Sequence, residues 1–289
     1  MKQISADTGI CHFRIDTATR LTDFLSQLEL EELNLSGTPD LARDWISTGG
    51  VYVEGRRLTT DADLQPGHLV RLHTRRKRYP AAQLGGWRER VVFWHEDFLV
   101  LDKPSGLPTH PTLDNVEENA LRVLQNELSQ PLYTTHRLDI PTAGLLILAR
   151  TPKAQAGINR EFALGRVEKI YHALASQPVE LGPHTHYINP ETRVPRAIGV
   201  TAEPGWWECR LEVQGRQPVP GGYRHQVRLL TGKTHQNRAQ IAALGAPLNG
   251  DVTYGGPAGE FGLVCSSLTF SWRGVRHICQ RPEPPEVKL

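Results

Sequence analysis

Residues 136–150 have the sequence HRLDIPTAGLLILAR. The apolar run that follows Gly144 predicts a buried strand, and Thr142 and Gly144 would let the backbone turn sharply before it. Asp139 therefore stands at the mouth of this strand. A loop aspartate most commonly caps a turn or pairs with a neighbour such as Arg137. A carboxylate held where backbone geometry is fixed and water can be excluded also suits chemistry.

The composition is that of an ordinary globular protein. The chain has 289 residues, of which 39% are hydrophobic and 22% charged, enough for roughly two domains of about 150 residues. No apolar run approaches the ~20 residues that span a bilayer, and the opening MKQISADTGICHFRID lacks the apolar core of a signal peptide. These features predict a soluble, cytoplasmic protein. The scattered cysteines include no C-x-x-C pair, which predicts reduced, mostly buried thiols.

Residues 12–74 predict a small α+β domain. Apolar residues at helical spacing in ATRLTDFLSQL indicate one helix. A second has Thr38 as N-cap, Pro39 at its first position and Gly49-Gly50 as its stop. The stretch VYVEGRRLT, with a turn at Glu54-Gly55, and the later LQPGHLVRLH indicate a small hairpin sheet.

Residues 75–89 form a basic stretch that predicts a linker between two domains. It begins with four consecutive basic residues in VRLHTRRKRYP and continues as AAQLGGWR. A basic run beside Gly and Pro is most often a solvated linker. In a phosphate-binding protein, it would also contact the nucleic-acid backbone.

Residues 90–289 predict a second α+β domain with a large mixed, mostly antiparallel sheet and flanking helices. VVFWHEDFLVLDK indicates a hairpin that turns at His95-Glu96-Asp97. EENALRVLQNEL, KAQAGINREFALGRV and QNRAQIAALG indicate helices, the second ending near Gly165. The remainder consists mainly of strands and turns, whose loops would build a cleft.

Several motifs resemble one enzyme family. The frame His136-Arg137-Leu138-Asp139-x-x-Thr142-x-Gly144 is similar to the active-site motif of the pseudouridine synthases of the RluA type. VVFWHEDFLVLDKPSG, GRVEKIYHALA and LLTGKTHQNRAQIAALGAPLNGD match further family segments in the expected order. TRLTDFL, ISTGGVYVEGRRL and LQPGHLVRL resemble the S4 RNA-binding domain, against the alternative of a small α+β domain with an ordinary charged face.

The resemblance implies an RNA pseudouridine synthase, an isomerase that converts uridine into its C-glycoside isomer without a cofactor or a metal. Asp139 would act beside the anomeric carbon, as nucleophile or as base. Tyr171 would stack on the uracil or help to remove the C5 proton. Arg238 would pair with Asp139 and keep the carboxylate ionised.

The resemblance also implies contacts with structured RNA. The target base must leave its stack, and Arg137 would enter the vacated position with assistance from His136. Phosphate or other RNA contacts are expected at the following basic residues: Lys103, Lys169, Lys233, Arg43, Arg56, Arg57, Arg75, Arg76 and Lys77. The S4-like segment favours ribosomal RNA as substrate, with transfer RNA as the alternative, and a monomer is the default expectation.

The chain departs from the family pattern at three places. Ala143 stands where the family often has Ser, and Asn237 where it usually has Ile. Cys265-Ser266-Ser267 replaces a piece that commonly resembles Leu-His-Ala. Asn237 puts a polar group on a lining that is normally apolar, which indicates a divergent branch or a shifted substrate.

Other functional classes fit the sequence less well. Gly232-Lys233-Thr234 resembles the end of a P-loop, but Val227 occupies the position of the required leading glycine. His184 and His186 have no acidic third metal ligand nearby at a recognisable spacing. Two alternatives stay open: a non-catalytic RNA-binding or ribosome-assembly factor with this fold, and a nucleoside hydrolase that uses the same carboxylate.

Overall fold

The computed structural model describes residues 2–3 and 9–282. Part of the opening stretch, and residues 283–289 of the predicted second domain, lie outside the described residues. The chain forms two compact units. The first contains the chain up to Ala82 together with His110–Val123, and the second contains Gln83–Thr109 and the chain from Leu124 onward. The second unit therefore begins close to the predicted boundary, but residues 110–123 belong with the first unit.

The first unit combines short helices with small antiparallel sheets. Strands β1, β2, β9, β6 and β7 form one sheet in that order, while β3 pairs with β8 and β4 with β5. The elements are β1 (Lys2–Gln3), β2 (Ile10–Arg14), β3 (Thr19–Arg20), α1 (Leu21–Ser26), β4 (Glu29–Leu30), β5 (Leu35–Ser36), α2 (Pro39–Ser47), β6 (Val51–Val53), β7 (Arg56–Leu58), β8 (Asp63–Leu64) and β9 (Leu69–His73).

The sequence signals for α2 and the hairpin are confirmed. The Thr38 hydroxyl accepts a hydrogen bond from the Leu41 amide at 3.2 Å, and Pro39 occupies the first turn. The helix ends just before Gly49, whose φ of 76° is typical of a helix stop. At the β6–β7 turn, Glu54 and Gly55 have φ values of 50° and 74°, which suits a tight hairpin.

The segment predicted as a basic linker is partly built into the first unit. The Arg76 guanidinium donates to the Thr48 hydroxyl at 2.6 Å and pairs with the Asp44 carboxylate. Arg78 pairs with Glu118 at 2.6 Å, which ties residues 110–123 to the first unit. Distant acidic partners therefore hold Arg76 and Arg78 within the first unit, while the linker assignment of the stretch stays a prediction.

The second unit contains one large sheet and its flanking helices. Its elements are β10 (Val91–Trp94), β11 (Phe98–Lys103), α3 (Ala120–Leu128, which begins in the first unit), β12 (Tyr133–Thr134), β13 (Ala143–Ala149), α4 (Pro152–Ala163), β14 (Glu168–Ala175), β15 (Gly182–Ile188), β16 (Ile198–Gly199), β17 (Trp207–Val219), β18 (Gly222–Leu229), α5 (Gln236–Ala243), β19 (Leu263–Trp272) and β20 (Val275–Gln280).

The strand order explains how distant motifs meet. The sheet runs β10-β11-β13-β19-β14-β18-β17-β15-β16, with β12 added to β13 and β20 to β19. Among the strands that the structure describes, only β13 and β19 pair in parallel; all other pairings are antiparallel. The predicted mixed, mostly antiparallel sheet is confirmed. Strand β13 is central, and the predicted Asp139 loop leads directly into it.

The apolar core of the second unit follows the buried strand predicted from GLLILA. Every residue of β13 after Ala143 is buried, as expected for a strand covered on both faces. Helix α4 begins at the N-cap Thr151, whose hydroxyl accepts from the Ala154 amide at 3.1 Å, and it packs against β13. Gly165, with a φ of 67°, follows the helix end. The sheet and α4 thus provide a rigid base for the loop before β13.

Two further sequence predictions have structural outcomes. All four cysteines are free and buried, as predicted. None of the helices in the described part of the chain combines the length and apolar character required to cross a membrane.

Candidate active site

The loop that carries Asp139 is fixed through the backbone on both sides of the carboxylate. The Thr109 hydroxyl accepts from the Leu138 amide and donates to the Leu138 carbonyl, both at 3.0 Å. The Ile140 carbonyl accepts from the Gly106 amide at 2.9 Å. These bonds hold the residues directly before and after Asp139, so the carboxylate is positioned without a constraint on its own side chain.

Lys103 contributes to the same loop and differs from its predicted role as a phosphate contact. Its side chain is fully buried, and Nζ donates to the Leu107 carbonyl at 2.8 Å and the Ile140 carbonyl at 3.3 Å. Burial lowers the pKa of Lys103 to about 7, although the charges of Asp139 and Asp102 oppose that change. An ammonium enclosed by carbonyls cannot reach an RNA phosphate, so Lys103 is a positioning residue here.

Gly144 and Thr142 form the turn that the sequence predicts. The Thr142 amide donates to the Asp139 carbonyl at 3.1 Å. Gly144 has a φ of 104°, and a Cβ there would lie 2.2 Å from the Cys265 carbonyl oxygen on β19. Only glycine allows both this conformation and this approach of the two strands.

His136 anchors the loop rather than projecting from it. Its Nε2 accepts from the Ile147 amide at 3.0 Å, and its ring lies 4.6 Å from the Phe162 ring. Burial, followed by the charge of Lys169, lowers the pKa of His136 to about 3, so the ring is neutral at physiological pH. His136 therefore has a structural role in the loop, and because it also lines the pocket, its predicted RNA contact stays a prediction. Arg137, by contrast, is exposed and lines the pocket, and its predicted entry into the RNA stack stays a prediction.

Helix α5 brings a buried guanidinium to Asp139. Arg238 Nε and Nη2 each donate to the Asp251 carboxylate at 2.7 Å, and both side chains are almost fully buried. Nη1 remains directed toward Asp139, with 3.8 Å between Nη1 and Oδ2. Arg238 lies near Asp139, as predicted, but the carboxylate that it hydrogen-bonds is that of Asp251. Burial opposes the charged form, yet the bond to Asp251 and the charges of Asp251 and Asp139 leave the pKa of Arg238 raised.

His235 and Tyr254 complete this side of the site. His235 adopts the left-handed conformation, with a φ of 61°, directly before α5. Its Nε2 lies 4.0 Å from Asp139 Oδ2, and its Nδ1 lies 3.2 Å from the Tyr254 hydroxyl. Burial and the charge of Arg238 lower the pKa of His235, although Asp139 acts in the opposite direction. The imidazole is therefore neutral at physiological pH and offers Asp139 no second positive charge.

Tyr171 lies on β14, opposite Cys265 on β19, at a register shift between the two strands. Both side chains are buried, so the phenol and the thiol lie away from water. Burial, then Cys265 and the charge of Asp139, raise the pKa of Tyr171 well above its ordinary value. The phenol therefore enters the site as a neutral group.

These residues surround one pocket in the second unit. Its cavity volume is about 610 Å³, within the range of small-ligand sites. Its lining includes the following residues of the loop, β14 and α5: Asp139, Thr142, Tyr171, His235 and Asn237. The pocket thus joins a carboxylate, a phenol and a polar amide in one cleft beside the buried Arg238.

Lys169 and Lys233 lie at the same pocket. Lys169 Nζ donates to the Thr231 carbonyl at 3.3 Å, and burial lowers its pKa. Lys233 is exposed and lies 5.3 Å from the Trp207 ring centre. Both positions are compatible with the predicted phosphate contacts, which stay predictions.

The predicted RNA contacts in the first unit fall into two groups. The exposed members are Arg43, Arg56, Arg75 and Lys77. Arg57 instead donates to the Tyr52 hydroxyl at 2.8 Å and the Leu113 carbonyl at 3.0 Å, and Arg76 is held by Asp44 and Thr48. Arg57 and Arg76 are therefore corrected to structural residues, because hydrogen bonds within the first unit hold their guanidinium groups.

The sequence reasoning missed Asp251, His235 and Thr109. Asp251 is the last residue of the quoted segment GAPLNGD, so the motif contained a signal that was available. His235 lies in the quoted THQNR segment and was likewise not assigned a role. No sequence pattern indicated a role for Thr109, because its function depends on where the backbone of residues 136–140 runs.

One group of possible metal ligands occurs among the described residues, away from the Asp139 pocket. Ligand atoms of His95, Glu96 and Asp97 lie within 4.8 Å of one another. Asp97 already accepts from Trp272 Nε1 at 2.9 Å and pairs with Arg273 at 3.1 Å. Since its carboxylate is occupied by these partners, the group forms a hairpin-turn network.

Comparison with known proteins identifies the family. The family model for RNA pseudouridylate synthases matches residues 97–243, just over half of the chain. The chain belongs to this family. The match spans the Asp139 loop, Tyr171 and Arg238, and RNA pseudouridylate synthase membership confirms the resemblance inferred from the motifs.

The names of curated relatives of this RNA pseudouridylate synthase differ in the RNA that they specify. "RNA pseudouridine synthase 6, chloroplastic" of Arabidopsis thaliana is 34% identical over 220 residues, 68% of this chain and 46% of the relative. "Ribosomal large subunit pseudouridine synthase D" of Zymomonas mobilis is 27% identical, with coverage of 62% and 60%. "tRNA pseudouridine(32) synthase, mitochondrial" of Saccharomyces cerevisiae is 26% identical, with coverage of 72% and 46%. The matched region therefore spans about half of the length of these curated relatives.

A solved structure supports the fold. "Human RNA Pseudouridylate Synthase Domain Containing 4" superposes with a TM-score of 0.58 at 18% identity, covering 69% of this chain and 90% of that one. The likeness agrees with the large, mostly antiparallel sheet of the second unit.

Proposed function

We propose that this chain isomerises uridine to pseudouridine in structured RNA. The observation that carries the proposal is the Asp139 carboxylate, fixed by its neighbours' backbone and lying 3.8 Å from a guanidinium that Asp251 orients. Tyr171 lies in the same pocket, which is large enough to enclose a base. Family membership supports this chemistry over simple RNA binding.

The reaction conserves every atom of the nucleotide. Asp139 acts beside C1′, either as a nucleophile on it or as a base, while the bond between N1 and C1′ breaks. The detached uracil turns within the pocket, C5 bonds to C1′, and the C5 proton leaves as N1 gains a proton. Arg238 Nη1 stabilises the carboxylate before the reaction and whenever it is released again. Tyr171, as a neutral phenol, stacks on the base or assists in removing the C5 proton.

The target uridine must leave its stack before it can enter the pocket, which costs a few kcal/mol. Arg137 is exposed beside the pocket, where its guanidinium can occupy the space left by the base. Lys169 and Lys233 would hold adjoining phosphates. The exposed arginines of the first unit, which resembles an S4 domain in its sequence motifs, would add affinity that does not depend on sequence.

The substrate class proposed is ribosomal RNA, with transfer RNA as the alternative. The S4-like motifs favour ribosomal RNA. One curated relative is named for the ribosomal large subunit and another for tRNA. We also propose that the protein acts in the cytoplasm as a monomer, in line with its composition. Mapping pseudouridines in total cellular RNA with and without the protein would identify the target.

Asp139→Asn and Asp139→Ala test the activity. Both variants should bind RNA and form no pseudouridine, as detected by carbodiimide labelling and primer extension. Glu96→Ala removes an exposed carboxylate outside the pocket and should leave the rate unchanged. A non-catalytic assembly factor would yield no pseudouridine with the unaltered protein, whereas a nucleoside hydrolase would release uracil and leave abasic RNA. Either result would refute the proposal.

A further inference from the structure

Asn237 is a buried polar residue that the mechanism above does not use. It lies in the first turn of α5, directly before Arg238, and lines the pocket that contains Asp139. Asn237 is only 5% exposed. Within the described part of the chain, its Oδ1 is enclosed and has no hydrogen-bond partner.

An amide oxygen of this kind requires an explanation. Burying a carboxamide without a partner costs free energy, and buried polar side chains in native proteins are normally hydrogen-bonded. The neighbours of Asn237 on α5 follow this rule, since Gln236 and Gln240 bond to each other at 2.8 Å and Arg238 bonds to Asp251. Asn237 is the one of these residues that both lines the pocket and has an unused acceptor, so a ligand in the pocket can supply the missing partner.

We propose that Asn237 is a specificity-determining residue whose carboxamide binds the imide edge of the uracil base. The inference rests on the proposed function, because it requires a uridine in the pocket. The imide edge presents the O2 acceptor, the N3–H donor and the O4 acceptor side by side. A carboxamide has one acceptor and one donor at matching separation, so it can pair with N3–H and either neighbouring oxygen.

This pairing survives the rotation of the base. To form the new bond, uracil must turn so that C5 replaces N1 opposite C1′. A half-turn about the line through N3 and C6 makes that exchange and also interchanges O2 with O4. N3–H stays on the axis, and the edge presents the same acceptor, donor and acceptor order after the turn.

Asn237 therefore holds the free base before and after it turns. No bond fixes Oδ1 within the protein, so the amide can also exchange its oxygen and nitrogen by rotation about χ2 without breaking a bond of that oxygen. Loss of the contact should let the detached base escape. Water would then add to C1′, leaving an abasic site and free uracil.

Asn237→Leu tests this role, because leucine has nearly the same shape and no polar atoms. The substrate probe is unmodified ribosomal and transfer RNA transcribed with [5-³H]uridine. Pseudouridine formation releases tritium to water, whereas escape of the base releases [³H]uracil, so one label separates the two products. Asn249→Leu is the matched control, since Asn249 also has an unpartnered Oδ1 but does not line the pocket.

For Asn237→Leu we expect kcat/KM for tritium release to fall about tenfold. We also expect this variant to release free uracil, which the unaltered protein and Asn249→Leu should not release. A normal rate would overturn the inference, and so would a slower rate without free uracil, which indicates a structural role. If thermal unfolding shows that Asn237→Leu does not fold, Asn237→Ala is judged by the same two products. If the unaltered protein releases no tritium from any transcript, the proposed function fails and this inference fails with it.

Discussion

The buried pair of Arg238 and Asp251 permits a quantitative test of how Asp139 is supported. Two hydrogen bonds of 2.7 Å join the pair, and the side chains are only 6% and 1% exposed. Asp251→Asn removes the negative charge and leaves the guanidinium in an enclosed position. Removing one partner of a buried ion pair costs about 3–5 kcal/mol, which lowers the melting temperature by roughly 6–20 °C for a unit of this size.

A double substitution separates stability from activity. Arg238→Met with Asp251→Leu replaces the ion pair by apolar side chains of similar volume, and such replacements are often neutral or stabilising. We expect the melting temperature to recover, while pseudouridine formation stays lost because Asp139 no longer faces a cation. Circular dichroism melts and tritium release on the intact chain measure the two effects.

The control and the refuting results are equally definite. Glu96→Gln breaks an exposed contact of 3.3 Å with Arg273 and should cost less than about 1 kcal/mol. At this size, 1 kcal/mol changes the melting temperature by roughly 2 °C. A melting temperature for Asp251→Asn within about 2 °C of the unaltered protein would therefore refute the energetic reasoning. Full activity in the double variant would refute the claim that Arg238 supports the carboxylate.

Three further outcomes follow from the same contacts. Burial lowers the pKa of Lys103 from 10.5 to about 7, so between these values the unfolded chain binds more protons and the folded form gains stability as pH rises. The difference in unfolding free energy between the unaltered protein and Lys103→Met should therefore change by about 1.4 kcal/mol per pH unit in urea titrations from pH 7.5 to 9.5, and a constant difference would contradict the burial argument. Gly144→Ala should lower the melting temperature far more than Gly182→Ala. Both glycines have positive φ, but only at Gly144 would a Cβ collide with the backbone. Equal losses would show that the close approach of β13 and β19 at Gly144 is unimportant. Arg56→Ala and Arg75→Ala should each lessen the slope of log affinity for RNA against log salt by about 0.7–0.9 if they contact phosphate, and filter binding at several salt concentrations would expose an unchanged slope.

The elements predicted from the sequence are those specified by local chemistry. Thr38 accepts the bond expected of an N-cap, and Gly144 adopts the conformation that the turn into β13 requires. The apolar run after Gly144 could only be a strand buried on both faces or a buried helix, and the preceding turn favoured the strand. Asp139 was identified because its motif is contiguous, and contiguous motifs are visible without knowledge of the fold.

The errors concern charges whose partners are distant in sequence. Arg57, Arg76 and Lys103 were assigned to RNA because a basic residue is usually exposed. In the fold, each of them also donates to an acceptor that lies 32 to 56 positions away, which no local pattern encodes. Asp251 was missed although its motif was recognised, since its role depends on a helix that begins 15 residues earlier and turns Arg238 toward it.

The departures from the family pattern at Cys265 and Asn237 have different physical consequences. Cys265 is fully buried, lies opposite both Gly144 and Tyr171, and has its pKa raised by burial to about 12. A thiol that stays protonated is a poor nucleophile, so Cys265 adds packing beside Tyr171 but no new chemistry. Asn237 instead has an unsatisfied polar atom and lines the pocket that contains Asp139. A change that costs stability without forming an internal bond is expected where a ligand supplies the missing partner, which is why the departure at Asn237, and not the one at Cys265, bears on the substrate.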